Sequence, residues 1–268
     1  MKRREFLASS AVASLGLGAW GAALGADKKQ AKQLIELRLY TFETAEKLKG
    51  FDQFLAQAMI PALNRAGVGP VGAFSVLKGD VAKANMKPDG AYLYVLLPYK
   101  SAESFPTLAD KLKKDAVFQK AGAAVLASPR SSPAYQRYES TIMLAFSNMP
   151  KVEVPSKAET RVMQLRIYES HNEDRAKMKI HMFNEGGEIA IFRKCDLKIV
   201  FFGQSLAGAK LPNLTYMLGF DNEQAQEKAW ENFKKDPDWQ KISKDELYKD
   251  TVSNITNLIL RPASSSQI

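Results

Sequence analysis

The chain has 268 residues, 46% apolar and 25% charged, with a formal charge of +9 and one cysteine, Cys195. That length admits about two ordinary domains, and the composition excludes disordered, fibrous and disulfide-stapled classes. The positive excess is dispersed rather than gathered into a run, with no aromatic-basic interleaving, so a solvated basic surface is expected and a nucleic-acid partner is not.

Residues 1–26 read as an export signal. Lys2-Arg3-Arg4-Glu5-Phe6-Leu7 spells a twin-arginine motif ahead of an apolar, Ala/Gly-rich run from Ala8 to Leu24. Small residues at Ala22, Ala23, Gly25 and Ala26 suit a peptidase. This predicts a bacterial protein delivered to the periplasm or beyond, folded before it crosses, and raises the expectation of a bound cofactor without naming one. After the leader no stretch approaches the ~18 unbroken apolar residues of a spanning helix.

The mature chain opens with a strand over Leu34 to Phe42, followed by a helix over Ala45 to Arg65 in which Leu48, Phe51, Leu55 and Met59 recur at helical spacing. Pro61 predicts a kink there. Strands follow at Val71 to Leu77 and Tyr92 to Leu97, then helical segments at Ser101 to Lys113 and Ala116 to Leu126, and a strand at Tyr135 to Phe146. Residues 148–160, with Pro150 and Pro155, read as a linker between a domain over 33–147 and a second over 161–262. The second repeats the order: strand Val162 to Tyr168, helix Glu173 to Lys194, strands Lys198 to Ser205 and Leu214 to Phe220, helix Asn222 to Lys235, strand Thr251 to Leu260.

The repeat is also literal. Leu37-Arg38-Leu39-Tyr40 recurs as Leu165-Arg166-Ile167-Tyr168, and Lys113-Lys114-Asp115 as Lys234-Lys235-Asp236. Two βαββαβ units are therefore expected, an α+β fold of tandem ferredoxin-like halves packed sheet to sheet so that each covers the other's bare face. The strand Glu36 to Tyr40, the Lys234-to-Lys241 segment and the strand Asn213 to Leu218 resemble the NIPSNAP family, over essentially Leu34 to Pro262 and more closely in the second unit. The resemblance implies a dimeric α/β barrel, here within one chain, a fold shared in outline with small monooxygenases and with haem proteins of the chlorite dismutase and dye-decolorising peroxidase types. It implies no catalytic set.

Two groups of residues are candidates for a ligand site. Arg38 and Tyr40, with Arg166 and Tyr168, alternate with the aliphatic row; with the leucines under the helices they would face the inter-sheet space. There they would form either a network that fixes the barrel or an anion-binding lumen. His181, Glu185 and Glu188 fall on one face of the long second-unit helix, which Gly186-Gly187 interrupts. The first unit holds Asp52, Ala56 and Met59 at those places, so only one half would be specialised. With two histidines a three-histidine zinc site is excluded and no metal is expected, while His171 or His181 could ligate haem in principle. Trp230 and Trp239 read as core or subunit contacts. The favoured reading is an exported binder of a small apolar or anionic molecule; an oxygenase- or haem-type enzyme and a homo-oligomeric assembly module built on free sheet edges are the alternatives.

Overall fold

The computed structural model describes residues 31–82, 86–87 and 90–268. The export signal lies outside the described residues. Strand β1 (Leu34–Phe42) leads into α1 (Ala45–Phe54), whose first turn is capped by Thr44 accepting from the Lys47 amide. The helix runs on through a π turn (Leu55–Met59) into α2 (Ile60–Arg65). Pro61 accounts for that turn: it has no N–H to offer the carbonyl four residues back, and the Ile60 amide reaches five back to Leu55. Then come β2 (Gly72–Val76), a short α3 (Lys78–Val81), β3 (Ala91–Tyr99), α4 (Ser104–Lys114), α5 (Ala116–Ala121), α6 (Ala123–Leu126) and β4 (Arg137–Ala145). The second half repeats the plan with β5 (Val162–Glu169), α7 (Glu173–Asn184), α8 (Glu188–Lys194), β6 (Ile199–Ala207), β7 (Asn213–Phe220), α9 (Glu223–Lys235), α10 (Pro237–Ile242) and β8 (Asn254–Pro262).

The eight strands close into one barrel in the order β1-β3-β2-β8-β5-β7-β6-β4. Each half supplies a four-stranded antiparallel run of ferredoxin-like order, and the halves join where β2 pairs with β8 and β4 with β6. The mutual covering of bare sheet faces is thus achieved by closure. The free edges on which an assembly module would depend are absent from these eight strands, because every one has a neighbour on both sides.

Closure also decides which way the strands face. Ile35, Leu37, Phe74, Leu96, Met163 and Leu165 meet inside the barrel. Tyr40 instead packs with Phe51, Phe54 and Phe118 beneath the helices of the first half. The expected facing of Arg38, Tyr40, Arg166 and Tyr168 is therefore reversed, and the anion-binding lumen they were to form does not exist. Across its middle a narrow closed barrel has room only for packed side chains, so the aliphatic row takes the inside. The outer face lies under helices with an open rim, where an arginine can bury its stem and still reach water.

The linker is fastened rather than loose: the Val152 amide donates to Gln33, the Glu153 amide to the Val200 carbonyl, and the Val152 side chain joins the barrel interior. Leu165 has no exposed surface. Truncating it to Ala is expected to lower stability by about 2–5 kcal/mol in urea unfolding, as for any interior leucine; a loss under 1 kcal/mol would mean that this row does not line the core.

Candidate anion-binding site

The repeated arginines sit at matching places but in different company. In the first half Arg38 donates through Nε and a terminal nitrogen to both oxygens of Glu36, at 2.7 and 3.0 Å. The Tyr99 hydroxyl and Ser140 Oγ also donate to that carboxylate, each at 2.7 Å. Burial alone would raise the Glu36 carboxyl; the bonds from Arg38, Tyr99 and Ser140 outweigh it and hold the group below the usual carboxylate range. Charge and hydrogen bonding are both closed there.

In the second half Gln164 stands where the first has Glu36. Its amide is spent on neighbours, accepting from Trp230 Nε1 at 2.7 Å and donating to Asn257 Oδ1 at 2.7 Å. Arg166 has no carboxylate within ion-pairing distance among the described residues, and its Nε is a buried donor without a hydrogen-bond partner. Aromatic rings hold the guanidinium instead, with centroids 4.8 Å away for Trp230, 5.2 Å for Tyr168 and 6.0 Å for Tyr216. The Tyr216 hydroxyl donates to that of Tyr168 at 3.1 Å.

A second cation lies close by. Lys179 of α7 pairs with Glu188 of α8 at 2.8 Å, the two side chains only 6% and 3% exposed. Burial pushes the Glu188 carboxyl up, against the pull of Lys179 and Arg166. The first half has Gly50 and Met59 at the equivalent places, so this pair is a feature of the second half alone. The cluster Arg166, Lys179 and Glu188 carries at least one surplus positive charge, where Arg38 and Glu36 cancel.

These groups border a cavity of about 600 Å³ between the sheet and helices α8 and α9. Gln164, Arg166, Tyr168, Glu188, Trp230 and Asn257 line it. Exposed Glu227, Glu231 and Lys234 lie at its rim, where solvent screens them.

Of the residues singled out in the sequence, Arg166, Tyr168 and Glu188 come together here. His181 and Glu185 do not. The long helix expected over 173–194 ends at Asn184, and Gly187 at φ 87° starts α8 on a new course. A Cβ on Gly186 would lie 2.6 Å from the Met182 carbonyl and 2.7 Å from the Tyr248 hydroxyl, so the neighbouring backbone and the turn at Glu246–Tyr248 need that position bare. The break separates Glu188 from the face it was expected to share. His181 Nδ1 lies 3.1 Å from the Tyr248 hydroxyl and, with exposed Glu185, borders a different groove of about 260 Å³. His171 is exposed, and Arg38 and Tyr40 remain in the first half. Gln164, Trp230 and Asn257 were not singled out as site residues. Only the exchange of Glu36 for Gln164 between the two halves could have pointed to them.

A profile of the NIPSNAP family matches residues 163–267, which supply the whole strand side of the cavity and α9. No curated protein matches the sequence. A candidate monooxygenase from Lactobacillus acidophilus superposes with a TM-score of 0.57 at 10% identity, covering 87% of this chain and 95% of that one. Another from Fusobacterium nucleatum gives 0.54 at 10% identity, over 87% and 93%. A NIPSNAP-like domain protein from Burkholderia xenovorans is 20% identical over 40% of this chain and 88% of its own, with a TM-score of 0.36. The two candidate monooxygenases are similar to this chain in fold alone, that of the dimeric α/β barrel.

The closed first-half environment predicts what losing its carboxylate costs. Because Glu36 is held below its unfolded value, its ionisation stabilises the fold above about pH 4.3, and this is lost as the pH falls through the lowered folded value. Glu36→Gln, which strands Arg38, is expected to cost about 3 kcal/mol at pH 7. In urea unfolding the gap from wild type should narrow near pH 3; a gap independent of pH would rule the ion pair out as its source.

Proposed function

We propose that the protein binds a small organic anion in the cavity beside Arg166, with the acidic group on the guanidinium and a flat apolar body among Trp230, Tyr168 and Phe192. One observation carries this reading: the repeated arginine keeps its own carboxylate in one half and is denied it in the other. A half-buried cation with a buried, unserved N–H is costly unless something occupies it. A carboxylate or similar oxyanion supplies both the charge and the acceptors, and the planar guanidinium suits it. Lys179 adds positive potential from behind while Glu188 keeps that lysine in place. The volume, about 600 Å³, lies within the usual range for ligand pockets.

A histidine-ligated haem does not fit this cavity: His171 is exposed beyond β5, and His181 is engaged by Tyr248 beside another groove. The reading extends to the rest of the chain. The first half is taken as a diverged copy of the NIPSNAP-like second, kept for the barrel, and the twin-arginine leader as the route by which the binder reaches the envelope. Fusing residues 1–30 to a reporter tests the last point, with export expected to fail when Arg3 and Arg4 are both changed to Lys.

Benzoate, benzamide and benzylamine test the site itself, since they differ in charge at nearly constant shape. Calorimetry is expected to show benzoate binding, and Arg166→Gln to weaken it about ten- to hundredfold, the worth of a charge-assisted contact. Gln164→Glu, which rebuilds the first-half pairing, is expected to abolish binding while raising the melting temperature. Benzamide binding as well as benzoate, or an unchanged affinity in Arg166→Gln, would overturn the assignment.

A further inference from the structure

The interior of the barrel is not uniform along its axis. Around Leu37 and Leu165 it is packed and apolar. One step further along β5, Ile167 stands opposite Thr215 of β7 and Thr256 of β8. Along β1, Leu39 stands opposite Tyr94 and Glu139, and Thr41 opposite Tyr92. These inward residues surround a cavity of about 340 Å³ at one mouth of the barrel, separate from the cavity beside Arg166.

Its two sides differ in how their polar groups are served. On the second-half side the hydrogen bonding is internal: Ser205 Oγ and Thr215 Oγ1 donate to Asn213 Oδ1 at 2.6 and 3.1 Å, and Lys210 donates to Thr256 Oγ1 at 3.0 Å while pairing with Glu169. On the first-half side the half-buried Thr41 and Thr141 and the ring-buried Tyr94 turn side-chain oxygens with no hydrogen-bond partner among the described residues to the cavity, and the exposed Glu139 stands at its rim. Tyr94 is the telling case. Its ring sits in the barrel interior with the residue only 6% exposed, and its hydroxyl opens onto the cavity rather than onto a protein partner.

We infer that this mouth is a second binding site, for a neutral polyhydroxylated molecule of about monosaccharide size. Charge argues for neutrality: Lys210 is paired with Glu169, and the other two charged side chains that line the cavity, Lys87 and Glu139, are one of each sign. The surface argues for a polyol, because unserved hydroxyls and a carboxylate converge on one side while Leu37, Leu39 and Ile167 offer an aliphatic floor to the C–H face of a ring. The volume exceeds the ~30 Å³ of one liquid water severalfold, room for a small ring with its hydroxyls. The site owes nothing to Arg166.

Saturation-transfer NMR on the purified protein tests this with glucose and myo-inositol as neutral probes, and glucuronate and glucosamine as charged counterparts. At least one neutral probe is expected to receive saturation and to outcompete both charged ones. Tyr94→Phe and Thr141→Val should each weaken it about three- to tenfold, the worth of one neutral hydrogen bond. The melting temperature of Tyr94→Phe should not fall, since its hydroxyl has no hydrogen-bond partner to lose among the described residues, and Arg166→Gln should leave the signal intact. No transfer to either neutral probe, preference for a charged one, or equal binding by Tyr94→Phe would overturn the proposal.

Discussion

A closed barrel of eight strands allows only one of the two rows on each strand to point inward, and the space there is filled by side chains in contact with one another. The rows Glu36-Arg38-Tyr40 of β1 and Gln164-Arg166-Tyr168 of β5 are thereby sent to the other side, beneath the helices. That single geometric demand places Arg38 beside Glu36 and the Tyr138 ring, and Arg166 beside Trp230 of α9 and Glu188 of α8. It also explains why both arginines are half-buried: each stands on the outer face of the sheet, the side that the helices cover. What differs is the answer to the charge, a strand carboxylate in one half and a ring of aromatic faces in the other. The second arrangement keeps a cation in a low-dielectric setting with its hydrogen-bonding capacity unspent, and such settings strengthen any electrostatic contact made there.

The helix break does related work on the opposite wall. With α7 continuous into α8, residues at Lys179 and Glu188 would project from separate turns of one straight rod. The turn at Gly186-Gly187 redirects α8 and brings the two charges to 2.8 Å. A buried pair of this kind contributes little net stability, because desolvation offsets most of the attraction. Its role here is positional: Lys179 lies over the rings of Phe183 and Tyr168, and its potential reaches the cavity that Arg166 opens on.

Much of the architecture was legible in the sequence. Alternation bounds strand β1 to the residue, the repeated order of elements predicts the paired halves, and Gly186-Gly187 marks the helix break. Which face of β1 looks inward was not legible, because alternation defines two faces without saying which the closed barrel encloses. The grouping of His181 with Glu188 failed for a related reason: helical spacing holds only while the helix does, and Gly187 in the left-handed region ends it. Trp230 and Asn257 were out of reach, since their place beside Gln164 depends on long-range register. The one trace they left was the exchange of Glu36 for Gln164, visible only when the halves are compared with each other.

Covalent continuity between the halves has a consequence for how the two arginine environments can vary. A barrel assembled from two identical subunits would carry any substitution twice, and removing a strand carboxylate would strip both arginines of their counter-charge at once. Because one chain supplies β1 and β5 separately, Glu36 can remain as a fixed strut while Gln164 leaves its partner free. The asymmetry around the cavity on one side therefore needs no symmetric sacrifice on the other.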